Sequence, residues 1–217
     1  MDYSTARRNM VESQIRTNRI THRGIIKGFE EIPREMFVPD HLETVAYVDE
    51  KLMVSEGRYL LEPMVLAMLL QAANIKTEDV VLEIGCGTGY STAIISRLAS
   101  TVVAIEEDKV LAELATKNLI ELGVDNAAIM TNPLINGYSK QHPYNVIVFS
   151  GSVTSIPQNI VEQVADNGRI VAVVNKNDSV GKGVLTTKFG SSISTEEIFD
   201  AWTPFLPGFE RLQSFSF

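Results

Sequence analysis

Residues 80–90 read Val80-Val81-Leu82-Glu83-Ile84-Gly85-Cys86-Gly87-Thr88-Gly89-Tyr90, a short apolar run that ends in three glycines at alternate positions. A second apolar run, residues 102–105, ends in Glu106. This order predicts a strand, a glycine turn, a helix and a second strand that ends in an acid. Open α/β sheets built from such units bind ligands at the carboxyl ends of their strands. Glycines there let the backbone approach a ligand, because no Cβ intervenes.

The glycine spacing and the two acids indicate which nucleotide the crevice holds. Dinucleotide sites have Gly-x-Gly-x-x-Gly, with the pyrophosphate at the helix N-terminus, whereas this chain has Gly-x-Gly-x-Gly preceded by Glu83. The Glu83 carboxylate would repel a pyrophosphate and suits a cationic amino group, while Glu106 can accept both ribose hydroxyls. We therefore predict S-adenosylmethionine over a nicotinamide or flavin dinucleotide. The remaining alternative is a turn that only tightens a strand–helix joint.

Composition limits the classes of protein and of site. The 217 residues are 45% hydrophobic, enough for one large α/β domain. A net charge of −8 opposes nonspecific nucleic-acid binding, which depends on phosphate neutralisation. The three histidines lack metal-ligand spacing with each other and with the lone cysteine, so we expect no metal. No apolar run reaches the roughly 18 residues of a membrane span, and no signal core follows Arg7-Arg8. We expect a monomer in the cytoplasm, where a lone cysteine is typical.

Hydrophobic periodicity and turn residues predict the order of the elements. Helix formers fill the first 20 positions and 22–31, and Pro33 and Pro39 bracket the extended anchor Phe37-Val38. Residues 47–58 are irregular, and Glu62-Pro63 opens a buried helix. The later helices are predicted at 89–99, 108–122 and 156–165. Strands are predicted at 79–84, 101–105, 126–130, 144–149 and 168–174, followed by two antiparallel strands at 184–189 and 192–199. The aromatic tail, 202–209, is predicted to be a lid over one sheet edge, with a partner-binding tail as the alternative.

Together these elements predict a Rossmann-like α/β fold. Its sheet is mostly parallel, with helices on both faces and antiparallel strands at the C-terminal side. We expect one domain over 1–217, in which residues 1–75 form a helical extension with the substrate loop. Residues 76–217 then form the sheet that binds the cofactor.

Several blocks resemble the protein-L-isoaspartate O-methyltransferases, a family of class I S-adenosylmethionine-dependent methyltransferases. Residues 83–90 resemble the first class I motif, and the more specific blocks are Met10–Ile15, Ile32–Pro39, Ala46–Asp49 with Leu52, Pro143–Ile147 and Asn167–Val171. The resemblance covers roughly residues 1 to 175. It implies an enzyme that transfers a methyl group from S-adenosylmethionine to the free α-carboxylate of L-isoaspartyl residues in damaged proteins, without a metal. The ester then collapses to a succinimide, and hydrolysis regenerates some normal aspartate.

The predicted cofactor residues surround the glycine turn and the ends of the neighbouring strands. They are Glu83, Gly85, Cys86, Gly87, Gly89, Tyr90, Glu106, Asn132 and Ser150. Cys86 is interpreted as a small residue that the loop requires, because Glu83 nearby should raise its pKa. Tyr90 either contacts the cofactor or belongs to the core. Asn132 stands where the family has the aspartate of Gly-Asp-Gly, which usually meets the adenine.

The substrate loop departs from the family pattern. Gly57-Arg58-Tyr59-Leu60-Leu61-Glu62-Pro63 aligns with Gly-Gln-Thr-Ile-Ser-Gln-Pro, so Leu61 stands at the family's active-site serine. A leucine cannot donate a hydrogen bond to a carboxylate, and an inward Glu62 would repel an anionic substrate. The hypothesised replacements are the Arg58 guanidinium, which can bind a carboxylate in bidentate fashion, and the Tyr59 hydroxyl.

Three functions follow from a retained cofactor site and an altered substrate loop. The first is a repair methyltransferase that acts on isoaspartyl peptides or proteins. The second is a methyltransferase that acts on another carboxylate or a small molecule, and the third is a non-catalytic module that binds S-adenosylmethionine or a protein partner. No catalytic triad is expected, since an ionised carboxylate needs only to be aligned with the methyl group.

Overall fold

The N-terminal part of the chain is helical, with one small hairpin. A computed structural model describes residues 2–176 and 180–210. Helix α1 spans Tyr3–Met10 and continues into a π-helical turn, Val11–Ile15, and a 3-10 turn, Arg16–Asn18. The following elements are α2 (Arg23–Glu31), 3-10 turns at Arg34–Phe37 and Asp40–Val45, strands β1 (Leu52–Ser55) and β2 (Arg58–Leu60), and helix α3 (Pro63–Ala73). Proline is tolerated at the first position of α3, because the backbone amides of the first helical turn have no carbonyl partner within the helix.

The rest of the described chain alternates strands and helices and then ends in two long strands. The elements are β3 (Val80–Ile84), α4 (Tyr90–Ser96), β4 (Thr101–Glu106), α5 (Lys109–Glu121), β5 (Ala127–Thr131), β6 (Tyr144–Val153), α6 (Gln158–Val161), β7 (Val164–Val174), β8 (Gly181–Phe189) and β9 (Ser192–Ala201). The larger sheet has the order β5-β4-β3-β6-β7-β8-β9. Pairing is parallel from β5 to β7 and antiparallel for β8 and β9.

The strand order places a ligand-binding crevice between β3 and β6. The chain runs outward from β3 to β5 and then returns to β3 as β6, so the order reverses between these two strands. Both are buried along almost their whole length, which explains why their sequences are continuously apolar. Ligands bind outside the carboxyl ends of the strands at such a switch point. Here Gly85 follows the last residue of β3, and Ser150–Gly151 lie in β6 just beyond its last pairing with β3, at Phe149.

Three local predictions differ from the structure. The helix predicted at 156–165 covers only Gln158–Val161, because Asn167-Gly168 lies inside β7, where the register with β6 shifts, instead of before it. The segment predicted as irregular, 47–58, contains β1 and the first residue of β2. Of the predicted extended anchor Phe37-Val38, Phe37 ends a 3-10 turn and only Val38 is extended, with φ −119° and ψ 156°.

The aromatic tail lies against the carboxyl end of β6. The Ser152 amide donates to the Pro204 carbonyl at 2.9 Å, and the Leu206 amide donates to the Ser152 carbonyl at 2.9 Å. Phe209 packs edge-on against Phe149, with ring centroids 5.5 Å apart. The tail is therefore a packed cover, as predicted for a lid, and it lies over the switch point.

Candidate functional site

The glycine turn between β3 and α4 adopts backbone conformations that favour glycine. The φ angles of Gly85, Gly87 and Gly89 are 82°, 55° and 95°, in the left-handed region. The amides of Gly85 and Cys86 both donate to the Ile105 carbonyl on β4, which ties the turn to the neighbouring strand. A Cβ on Gly89 would also lie 3.3 Å from the backbone Cα of Ala115 on α5. The three glycines therefore allow the backbone conformation of the turn, and Gly89 also allows α4 to pack closely against α5.

The carboxylate of Glu106, at the end of β4, is fully buried and surrounded by hydrogen-bond donors. Arg58 binds it with two nitrogens, Nη2 at 2.6 Å from Oε2 and Nε at 3.3 Å from Oε1. Backbone amides of Gly87, Glu107 and Asp108 donate to the same two oxygens at 2.8, 3.0 and 3.3 Å. Since a carboxylate has about four lone-pair sites, Glu106 has no acceptor capacity left in this arrangement.

Glu83 is also fully buried, and it is held by hydroxyl groups instead of a cation. Ser91 and Ser150 donate to Oε1, and Thr92 donates to Oε2 at 2.5 Å. Burial raises the pKa of Glu83, and the three hydroxyl donors partly oppose this rise. The carboxylate therefore lies behind the crevice wall, where Ser91 and Ser150 separate it from the open side.

Replacing Glu83 with glutamine should change how stability depends on pH. A folded-state pKa raised above the ordinary 4.5 means that ionisation of Glu83 opposes folding. The stability that Glu83 contributes is therefore complete below the unfolded pKa and is lost as pH rises through the folded one. We expect the free energy of unfolding of the wild type, relative to Glu83→Gln, to fall from about pH 4 upward and then to level off. Urea unfolding of both proteins at several pH values measures this difference, and parallel profiles would contradict it.

Cys86 should not react in the folded protein. Its thiol is 2% exposed, and burial, reinforced by the charges of Glu83 and Glu106, raises its pKa well above the ordinary value. Because the thiolate is the nucleophile, we expect a thiol reagent to label the native protein very slowly at about pH 8. Labelling should become fast after denaturation in urea. Rapid labelling of native protein would contradict the interpretation of Cys86 as a residue chosen for its size.

The other predicted cofactor residues occupy different surroundings. Tyr90 is fully buried in the core between Phe29 and Phe37, with ring centroids 6.1 and 5.4 Å away. Ser150 borders the crevice and donates to Glu83 at 2.5 Å. The Asn132 side chain donates to the Gly137 carbonyl at 2.6 Å, and Asn132 and Gly137 both line a cavity of about 550 Å³.

The substrate loop is anchored by a buried arginine that the sequence analysis did not single out. Arg34 is fully buried, and it donates to the carbonyls of Ala46 at 2.6 Å and Leu61 at 2.7 Å. Its guanidinium lies 4.9 Å from the centre of the Tyr90 ring, and burial lowers its pKa. Leu61, the residue at the family's serine position, is therefore held through its backbone carbonyl, and its side chain is 4% exposed.

Two predicted loop residues differ in exposure and charge. Tyr59 is half-buried and borders the crevice together with Leu61. Glu62 is buried, burial raises its pKa, and its Oε2 has no hydrogen-bond partner among residues 2–176 and 180–210. Glu62 is absent from the walls of the two voids beside the loop, so its charge is not placed against a substrate there.

Leu206 covers the bare backbone at the switch point. A Cβ built on Gly85 would lie 2.6 Å from Leu206 Cδ2 and 3.2 Å from Arg58 Nη2. A Cβ built on Gly151 would lie 2.6 Å from the same leucine side chain. One void of about 10 Å³ lies between this cover and the 57–61 segment, and a second of the same size lies between residues 59–61 and the glycine turn. Ser150 is in the walls of both.

The residue types around Gly85 fit S-adenosylmethionine, although their side chains fill the crevice. Bare backbone at Gly85, the paired oxygens of Glu106 and the negative charge of Glu83 match a ribose and a cationic nucleoside. Ligand pockets hold about 300 Å³ or more, so binding requires Arg58 and Leu206 to move. Among the described positions, no group of three or more His, Cys, Asp or Glu is placed to hold a metal.

Sequence reasoning missed three contacts that define this site. Arg58 and Glu106 are far apart in sequence, and no pattern connects them. Arg34 belongs to the family block Ile32–Pro39, and an arginine amid apolar residues is itself a signal that carbonyls or acids lie nearby. Leu206 was predicted to lie in a lid, but not over Gly85.

Within the described segments, no helix has both the length and the apolar character to span a membrane.

Comparison with known proteins places this geometry in a family. The sequence profile of protein-L-isoaspartate(D-aspartate) O-methyltransferase (PCMT) matches residues 5–197. A protein-L-isoaspartate O-methyltransferase of Methanoculleus marisnigri is 36% identical over 172 residues, 79% of this chain and 78% of that protein. One from Protochlamydia amoebophila is 39% identical over 165 residues, 76% of this chain and 79% of that protein.

Solved structures agree with the fold. A protein-L-isoaspartate O-methyltransferase has a TM-score of 0.81 at 25% identity, over 93% of this chain and 66% of that one. A candidate member of the same family from Plasmodium falciparum, solved in complex with S-adenosyl-L-homocysteine, has a TM-score of 0.76 at 17% identity, over 94% and 97% of the two chains. The predicted class I methyltransferase fold is thus confirmed, and the profile match with both relatives shows that this chain belongs to the protein-L-isoaspartate(D-aspartate) O-methyltransferase family.

Proposed function

We propose that this protein transfers a methyl group from S-adenosylmethionine to the free α-carboxylate of L-isoaspartyl residues, as a step in the repair of damaged proteins. The observation that supports it most is the combination of family membership with the Gly85 turn, Glu83 and Glu106 at one switch point. When bound, S-adenosylmethionine supplies an electrophilic methyl group on a sulfonium. The chain's own residues supply binding and alignment.

Each polar residue of the crevice then has a physical task. Glu106 would accept the ribose hydroxyls, and the negative charge of Glu83 would attract the cationic end through Ser91 and Ser150. Leu61 and Leu206 are both buried and would exclude water, which strengthens the attraction between opposite charges. No general base is required, because the acceptor carboxylate is already ionised near neutral pH.

The altered substrate loop favours a charged recognition group over the family's hydroxyl. Leu61 offers no side-chain donor, whereas Arg58 borders the same void with a planar fork that fits a carboxylate. An acceptor that carries a carboxylate is therefore compatible with this loop. Because Leu61 replaces the serine, a methyltransferase acting on a different carboxylate is the second candidate.

A labelled-methyl transfer assay tests the proposal. The protein is incubated with methyl-labelled S-adenosylmethionine and a peptide that contains one L-isoaspartyl residue. The control is the same peptide with a normal aspartyl residue, which differs only in the position of the peptide bond. We expect base-labile label on the isoaspartyl peptide alone. Cofactor binding without labelled peptide would reject isoaspartate as the acceptor and favour the second candidate.

The domain organisation and location belong to the same proposal. Residues 1–75 would carry the substrate loop and residues 76–217 the cofactor sheet of a single domain, which packing of α3 against β6, β7 and β8 supports. A monomer that works in the cytoplasm, without nucleic acid, is consistent with the net charge of −8 and the single cysteine.

A further inference from the structure

Arg58 lies where a ribose would have to bind. Its side chain leaves strand β2, passes over the bare backbone of Gly85 and binds both oxygens of Glu106. Three backbone amides occupy the rest of that carboxylate. Two ribose hydroxyls can therefore bind Glu106 only by replacing the two Arg58 nitrogens.

We infer that Arg58 and the cofactor's ribose compete for Glu106, and that the displaced guanidinium binds the carboxylate of the acceptor. The first half rests on the geometry around Glu106. The second half rests on the proposed function, since it needs an acceptor with a carboxylate. Together they make Arg58 the residue that couples cofactor binding to acceptor recognition.

The displaced guanidinium has a short path to the acceptor. Arg58 is 4% exposed and borders a void with Tyr59, Leu61, Ser150 and Thr203. A buried guanidinium without an acid is strongly destabilised, so it requires a new anion when hydroxyls take Glu106. An incoming carboxylate at Leu61 offers that anion and accepts the same bidentate pair of hydrogen bonds.

The exchange keeps every strong hydrogen-bonding group satisfied. Glu106 passes from two guanidinium donors to two hydroxyl donors, while its three backbone donors stay in place. Arg58 passes from one carboxylate to another. The acceptor's carboxylate finds a cation at the position where the family's serine would otherwise donate. Arg58 is therefore a specificity-determining residue that replaces the function of the missing hydroxyl.

Calorimetric titration with S-adenosylhomocysteine tests the competition. In Arg58→Gln, which restores the family's residue, the ribose no longer competes with a guanidinium. We expect the dissociation constant to fall about tenfold, a gain of about 1.4 kcal/mol. The matched control is Arg169→Gln, which breaks the Arg169–Asp79 pair at the opposite edge of the same sheet. Its affinity for S-adenosylhomocysteine should equal that of the wild type.

Fluorescence anisotropy with a labelled isoaspartyl peptide tests the transfer. We expect the wild type to bind the peptide at least about tenfold more tightly when S-adenosylhomocysteine is saturating. Arg58→Gln should bind it weakly under both conditions. In Glu106→Gln the guanidinium has lost its charged partner, so this variant should bind the peptide without S-adenosylhomocysteine. A residue with a merely structural role would not produce that gain.

The outcomes separate this inference from the proposed function. Unchanged or weaker S-adenosylhomocysteine binding by folded Arg58→Gln would overturn the competition. Wild-type peptide binding that ignores S-adenosylhomocysteine would overturn the transfer. Tighter S-adenosylhomocysteine binding by Arg58→Gln, with no peptide bound by any variant, would support the competition and reject the isoaspartyl acceptor. Should Arg58→Gln fail to fold, Arg58→Lys keeps the charge without the fork, so it is expected to bind S-adenosylhomocysteine more tightly and the peptide more weakly than the wild type. Unchanged binding of both by Arg58→Lys would overturn the inference.

Discussion

Replacing Glu106 with alanine is expected to abolish measurable S-adenosylhomocysteine binding and to lower the free energy of unfolding by about 3–5 kcal/mol. The variant removes the acid that Arg58 binds, and it leaves the Arg58 guanidinium, which is 4% exposed, buried without a charged partner. An uncompensated buried charge is the main source of the loss of stability. Three backbone amides also lose their acceptor, which adds the desolvation cost of unpaired donors.

Urea unfolding and calorimetric titration measure the two effects of Glu106→Ala. The double variant with Arg58→Met is the informative control, because it removes the stranded cation together with the acid. We expect the double variant to recover at least about 2 kcal/mol of the lost stability without recovering S-adenosylhomocysteine binding. If the two substitutions were additive, the buried pair would not be the source of the destabilisation.

Replacing Arg34 with alanine is expected to lower the free energy of unfolding by about 3–5 kcal/mol. The change leaves a cavity beside Tyr90 and deprives the carbonyls of Ala46 and Leu61 of their donor. Since these two carbonyls belong to opposite ends of the segment 46–61, which includes most of the substrate loop 57–63, this segment should loosen. The KM for the acceptor should therefore rise more than the dissociation constant for S-adenosylhomocysteine.

Hydrogen exchange distinguishes this loop effect from general destabilisation. In Arg34→Ala, amides of residues 46–61 should exchange faster than those of β3 and β4. Arg34→Lys is the matched variant, because an ammonium cannot span both carbonyls as the planar guanidinium does. We expect it to lose about half as much stability. Uniform acceleration across the sheet would contradict a specific role for Arg34 in the loop.

The parts of the fold that were predictable are those in which local pattern and tertiary environment agree. The strands around the glycine turn are buried on both faces, so their apolar runs identify them without ambiguity. The β1–β2 hairpin lacks such a run, so in the sequence its turn at Gly57 does not differ from an irregular loop. Asn167-Gly168 usually indicates a turn, but here Asn167 adopts a positive φ of 59° inside β7. The pair therefore marks an irregularity within the strand instead of a turn before it.

The candidate site was predictable in its residues and not in their partners. Glu83 and Glu106 are marked by their positions beside the glycines, but nothing local indicates that hydroxyls hold one and a guanidinium holds the other. Arg58 is predicted to bind the carboxylate of the acceptor, whereas the carboxylate that it contacts in the structure is Glu106. Long-range pairs of this kind depend on strand order and loop geometry, which composition and spacing do not encode.

The full set of donors on Glu106 has a pharmacological consequence. An inhibitor that lacks the 2′- and 3′-hydroxyls offers nothing to replace the guanidinium, so the buried ion pair would reject it. Dideoxynucleosides and their carbocyclic relatives would therefore be poor starting scaffolds, and medicinal chemistry aimed at this pocket should preserve the vicinal diol.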